Sequence, residues 1–218
     1  MVLFRLDASI RDEGSFSRAL GDEVEMEWVK VHPDADIVRR HVGVEPVPAS
    51  AWGSAVLGGA IEPGARTEAQ HDAVGLAAQF VDELLDADAY LFAVPLYNFG
   101  VSQHFKSWVD LVVTDPRLQP GSTALNGRPA VLATVQGGNY SAGTPREGWD
   151  HATGWMRRIL ADVWGLDLRV VMREFTLVGQ NPALDSFTDA AAELGRAAHE
   201  QAREHGRFLS DALTRQAA

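Results

Sequence analysis

Apolar runs alternate with amphipathic stretches along the whole chain, a pattern that predicts βαβ units around a mainly parallel sheet. The first run, Val2 to Leu6, ends in the polar loop Asp7-Ala8-Ser9. A helix is predicted from about Ser15 through Leu20. An edge strand is predicted over Val24 to Val31, where Val24, Met26 and Trp28 alternate with Glu23, Glu25 and Glu27. Residues 33–65 are broken by prolines and by Gly53, Gly58, Gly59 and Gly64, and read as an irregular excursion with at most short helices.

Helical periodicity returns over Thr67 to Asp86, with Val74, Ala77, Ala78, Val81, Leu84 and Leu85 three and four residues apart. The unbroken apolar run Ala89 to Pro95 predicts a central strand covered on both faces. A helix from about Val101 follows, with Phe105, Trp108, Val109 and Val112 on its apolar face, then a loop over Asp115 to Asn126. A strand over Pro129 to Val135, a helix from about Trp149 to Trp164, a strand within Leu168 to Val178 and a helix from about Ser186 to Leu213 complete the chain. The expected fold is α/β: a doubly wound five-stranded parallel sheet in the order 2-1-3-4-5, helices on both faces, residues 1–218 forming one domain. Ligands of such sheets lie beyond the carboxyl ends of the strands.

Composition narrows the chemistry. There is no cysteine, so disulfides, thiolate metal sites, iron–sulfur clusters and redox dithiols are excluded, and any electron transfer needs a bound cofactor. A net charge of −11 with no basic cluster argues against nucleic acid and anionic membrane as partners. Met1 to Asp7 lacks the long apolar region and cleavage site of a signal peptide, and no run approaches the roughly 18 apolar residues of a membrane span. A cytoplasmic location is expected. The seven histidines are scattered without ligand spacing, so no metal site is expected.

Three loops at predicted strand ends carry the candidate chemistry. The first, Ser9 to Ser17, brings Ser9, Ser15 and Ser17 to a helix N-terminus, where hydroxyls and free N–H groups suit a phosphate; capping by Ser15 or Ser17 explains the same residues. The loop has neither a dinucleotide G-x-G-x-x-G nor a P-loop motif, which points to a mononucleotide such as FMN. The second, Pro95-Leu96-Tyr97-Asn98-Phe99-Gly100, sets two aromatics around an amide at the expected switch point, as a planar ring with one apolar and one polar end would require. The third, Gln136-Gly137-Gly138-Asn139-Tyr140, permits close backbone approach to a ligand or an ordinary tight turn.

With these loops in place, the chain resembles the FMN-dependent NADH-azoreductase and quinone-reductase family of flavodoxin-like enzymes. Pro95-Leu96-Tyr97-Asn98-Phe99 and the following Lys106-Ser107-Trp108-Val109-Asp110 look like that family's P-[ML]-Y-N-F segment and its K-x-[WY]-[IFV]-D helix. The resemblance implies that Ser9, Ser15, Phe16 and Ser17 hold the FMN phosphate. Pro95 to Phe99 would run along the isoalloxazine, and Gln136, Gly137, Gly138 and Asn139 would close its pyrimidine edge. It further implies a homodimer with the flavin near the interface. In the implied ping-pong cycle NADH or NADPH is the donor and a quinone or azo compound the acceptor. Tyr97 and Asn98 are the candidate catalytic helpers. Where relatives often place a proline after the serine, this chain has Ile10-Arg11-Asp12-Glu13, and the two acids are expected to face solvent. Gln136 stands where the family often has Ser or Thr.

Two other functions fit the pattern: a flavodoxin-type electron carrier without a small-molecule substrate, and a cofactor-free α/β domain. Of the tryptophans, Trp108, Trp155 and Trp164 read as packing residues and Trp52 as a residue of a substrate pocket.

Overall fold

A strand that is apolar on both faces is stable only in the middle of a sheet with helices above and below. In the computed structural model, which describes residues 1–216, that strand is β3 (Ala89–Tyr97), and Ala89 to Leu96 are buried without a break. The other strands are β1 (Val2–Asp7), β2 (Asp36–His41), the two-residue β4 (Gly100–Val101), β5 (Pro129–Val135) and β6 (Asp167–Arg173). Five of them pair in parallel in the order β2-β1-β3-β5-β6, and β4 folds back antiparallel on the end of β3. The doubly wound order is as expected; β4 is the extra strand.

The second strand is not where the alternation put it. Val24 to Val31 is the second half of helix α1 (Phe16–Val31), and β2 lies within the stretch read as irregular. The buried positions of α1 are Ser17, Leu20, Gly21, Val24, Glu27 and Trp28, a three-and-four spacing that fits a helix. Of the alternating apolar residues, Val24 and Trp28 are buried one helical turn apart and Met26 between them is exposed, so the apparent period of two was completed by a residue outside the core. The remainder of 33–65 holds α2 (Ala51–Gly59) and one short 3-10 turn.

Each sheet face has its own core. Leu3, Leu91, Ala133 and Val171 pack under α1 and α6 (Thr188–Gln216), joined by Val24, Trp28 and Leu209. On the other face Phe4, Leu6 and Phe92 pack under α3 (Glu68–Asp86) and α4 (Gln103–Val112). Trp108 is the hub there, stacked on Phe4 at 5.9 Å between centroids and edge-on to Trp164 at 5.8 Å. Trp108 and Trp164 are buried and Trp155 meets Phe105 edge-on, as expected of packing residues. Thr67 and Gln70 cap α3 reciprocally, which fixes its start. Helix α5 is shorter than expected. It runs Thr153–Arg157 and continues as a π-helical turn over Arg158–Val163. Its start is displaced because Asp150 accepts from the backbone N–H groups of Ala152 and Thr153, leaving Trp149 outside the helix.

One charge is buried beneath α1. Arg5 of β1 donates to both Asp7 oxygens, to Asp22 at 2.7 Å and to Glu25 at 2.9 Å. Burial would pull its pKa down, but the surrounding carboxylates outweigh that and hold it above the ordinary arginine value. The network ties the middle of α1 to the strand whose end opens the first loop. Among the described residues no helix is long and apolar enough to cross a membrane.

Helix α6 crosses α1 at Gly206, where a β-carbon would stand 2.6 Å from the Val24 carbonyl oxygen and 2.7 Å from the Glu27 β-carbon. Gly206→Ala should therefore destabilise the fold by about 1–3 kcal/mol through overpacking. Gly75, exposed on α3 with open space around it, offers the converse. Gly75→Ala should stabilise by about 0.5–1 kcal/mol through helix propensity. Denaturant midpoints of the two variants test this; an unchanged Gly206→Ala midpoint would show that the helices separate freely.

Candidate functional site

The carboxyl ends of β1, β3 and β5 lie side by side, so the loops that follow them converge where the strand order reverses. In the first loop Ser9, Ser15 and Ser17 are all buried. Ser15 caps α1, its Oγ accepting from the Arg18 N–H at 3.3 Å and lying 3.3 Å from the Ser17 Oγ. Capping and ligand binding are compatible, because one hydroxyl satisfies only one of the helix's free N–H groups. Arg18 shapes the loop by donating to the carbonyls of Arg11 and Asp12, and it also meets His41 at the end of β2. Asp12 and Glu13 are exposed, as expected. Gly43 passes so close behind that a β-carbon would collide with the Ser9 carbonyl.

The second loop is a two-residue turn. Leu96 pairs with Val101 and Tyr97 with Gly100, leaving Asn98 (φ 47°) and Phe99 (φ 66°) as its two central residues. Hairpins of this kind need positive φ at both positions, which suits Asn and strains Phe. Contacts from the third loop hold Phe99 in place. Its carbonyl accepts from the His151 N–H at 2.9 Å, and its ring meets Trp149 at 5.1 Å and Tyr140 at 5.9 Å. Arg146 sits over both the Phe99 and Trp149 rings. Tyr97 joins the first two loops, its hydroxyl accepting from the Ile10 N–H at 3.2 Å and lying 3.4 Å from the Ser9 Oγ.

Together the loops enclose a half-open cleft of about 300 Å³. Ser9, Ser15, Phe16 and Ser17 line one end, Pro95 to Phe99 one wall, and Gly137 the far edge. Gln136, Gly138 and Asn139 lie just outside the lining. Gln136 is buried and donates to Asp150 at 2.7 Å, the Gly138 carbonyl accepts from Phe175, and Asn139 reaches Glu174. The cleft also takes Arg11, Val135, Tyr140, Arg146, Thr176 and Leu177, none of which was assigned a ligand contact from the sequence. Thr176 and Leu177 arrive because their N–H groups bond the carbonyls of Gln136 and Gly137, a pairing between distant segments with no local signature. Arg11 stood in the first loop without an assigned role, and Arg146 was not read from the sequence. Trp52 belongs elsewhere: it lines a separate surface cleft with Arg66 and Pro116. Its helix packs on α3 and α4.

The electrostatics of the lining are unlike those of the chain. Acids outnumber bases 30 to 19, yet the cleft is lined by two arginines and no carboxylate. Hydroxyls and helix N–H groups gather at one end and aromatic and aliphatic groups at the other. This donor set fits a ligand with an anionic tail and a planar, mainly apolar head.

Residues 1–201 match the family described as having the flavodoxin-like fold, and the chain belongs to it. It is 34% identical over 205 residues to an FMN-dependent NADH:quinone oxidoreductase of Parafrankia sp., covering 93% of this chain and 97% of the relative. It is 38% identical over 204 residues to the protein of that name from Frankia alni, covering 92% and 95%. Among solved structures, azoreductase AzrA superposes with a TM-score of 0.78 at 20% identity, over 94% of this chain and 99% of that one.

The Tyr97 hydroxyl links two loops that meet around the expected phosphate position. Tyr97→Phe should leave the fold intact and raise the FMN dissociation constant about 2- to 10-fold, the worth of a hydrogen bond or two. Flavin fluorescence titration reads this, and an unchanged constant would show that the link does not order the site.

Proposed function

We propose that this chain, acting as one domain, is an FMN-dependent oxidoreductase that passes electrons from NADH or NADPH to a quinone, azo compound or related conjugated acceptor in a ping-pong cycle. The observation that carries the reading is the acid-free cleft, hydroxyl-rich at one end and aromatic at the other, at the switch point of a flavodoxin-like sheet. The near-full-length relatives named for that reaction support it.

In this reading Ser9, Ser15, Ser17 and the first N–H groups of α1 bind the phosphate, with Arg11 adding positive charge at the mouth. Backbone groups of Leu96 to Phe99 orient the ring system, and the turn at Asn98 and Phe99 aims them. Bound FMN supplies the two-electron hydride chemistry. Phe99 and Tyr140 give the cleft an aromatic side, and Trp149 packs edge-on against Phe99 from outside the lining. Asn98 is exposed at the turn, free to hydrogen-bond a ring substituent or the acceptor. Tyr97 acts by holding Ser9 and Ile10 in position and, through its own hydroxyl proton, can polarise a neighbouring oxygen. Gln136, Gly138 and Asn139 support the pyrimidine end from behind the lining, through Gly137. The homodimer and the cytoplasmic location are part of the same reading; exposed Trp52, Val56 and Leu57 on α2 offer an apolar surface for a second copy.

Purified protein loaded with FMN should oxidise NADH in the presence of a simple quinone, and initial rates should give parallel double-reciprocal lines. Tight FMN binding without turnover on any quinone or azo acceptor would favour the electron carrier instead. A protein that binds no FMN would sink both readings. Light scattering after gel filtration should give twice the chain mass.

A further inference from the structure

Two partly or wholly buried arginines flank α1, and only one of them is neutralised. Arg5 is surrounded by Asp7, Asp22 and Glu25. Arg173, at the end of β6, has no carboxylate within ion-pair distance among the described residues. Its guanidinium lies over the Phe16 ring at 4.2 Å from the centroid. It also faces α6 at Gly195, where a β-carbon would stand 3.5 Å from Cζ, Nε and Nη2 alike, the signature of a flat stack on that helix. The Nε is buried without a partner, and Nη1 has only the His199 Nε2 at 3.4 Å. Burial pulls this guanidinium's pKa below the ordinary arginine value, and no neighbouring carboxylate restores it. A desolvated charge left without a counter-ion is costly, and none of the described residues supplies one here.

Beside Arg173 a cleft of about 550 Å³ opens between α1 and α6. Arg196, His199, Glu200 and Arg203 face it from successive turns of α6, and Glu23 from α1. Glu23 is already engaged by Arg203 at 3.2 Å and His199 at 3.3 Å. Glu200 is exposed and makes no ion pair among the described residues. Arg173 and Arg196 thus remain as unpaired cations on one cleft. We propose that this cleft is a second anion site, separate from the flavin cleft, which takes a phosphate-type oxyanion between Arg173 and Arg196. The oxyanion is either free or carried on a small metabolite. Charge-assisted bonds to two guanidiniums suit such a group. Phe16 is common to both sites, supporting Arg173 with its ring while lining the flavin cleft.

Calorimetric titration of the FMN-loaded protein with inorganic phosphate and with AMP tests the proposal, because the flavin then occupies the serine-rich loop. Saturable binding is expected, weakened at least tenfold in both Arg173→Gln and Arg196→Gln. Arg196 is exposed, so its variant keeps the fold. Tighter binding of AMP than of phosphate would support a carried anion, and equal binding a free one. Absence of saturable binding of both probes, or affinities unchanged in both variants, overturns the proposal. If the protein takes up no FMN, the part of the binding lost in Arg173→Gln and Arg196→Gln on the flavin-free chain still reads this site, since neither residue lines the serine-rich loop. Neither arginine lines the flavin cleft, so the site's failure and the failure of the oxidoreductase reading are distinguishable.

Discussion

Burial of β3 on both faces is the constraint on which the remaining structure rests. A strand with apolar side chains above and below must lie inside a sheet, and its parallel neighbours then need helical crossovers on both sides. Leu91 commits one face to α1 and α6, while Phe92 commits the other to α3 and α4. Once β1 and β5 flank β3, their carboxyl ends open at one rim, and the strand order reverses there. The cleft is thus a geometric consequence of core packing, before any side chain in it is chosen.

Charge placement follows a second rule. The chain is acidic, but its carboxylates are spent on solvent and on ion pairs such as Arg5 with Asp7, Asp22 and Glu25, or Arg40 with Glu83. None lines the cleft. An anionic ligand gains little from net charge at a distance, since exposed charges are screened within about 10 Å at ordinary salt. It responds to the groups it touches, and those are hydroxyls, N–H groups and arginines. The overall charge of −11 therefore does not oppose binding of a phosphate.

The turn at Asn98 and Phe99 shows strain placed at a site. A non-glycine residue with positive φ persists only where its surroundings over-determine it. Here the third loop supplies that restraint through the His151 N–H and the rings of Trp149 and Tyr140. Because Asp150 both accepts from the N–H groups at the start of α5 and receives Gln136, the same short segment that starts a helix also steadies the turn.

Patterns written in consecutive residues were legible from the sequence alone: the two-faced apolar strand at Ala89, the helical periodicity after Thr67, the serines at a helix start and the Pro95–Phe99 motif. They determined the fold class and most of one wall and one end of the cleft. Only the tertiary structure decided the rest. Whether Val24 to Val31 alternates or coils depended on which side chains found a partner, and α6 buried Val24 and Trp28 while leaving Met26 in solvent. The far wall came from Thr176 and Leu177 binding a loop some forty positions earlier, and the pairing of one of the two arginines beside α1 but not the other depended on helix packing. Local order is set by propensity and periodicity along the chain. Which groups meet across a cleft is set by how independently formed layers pack, and no short window of sequence carries that information.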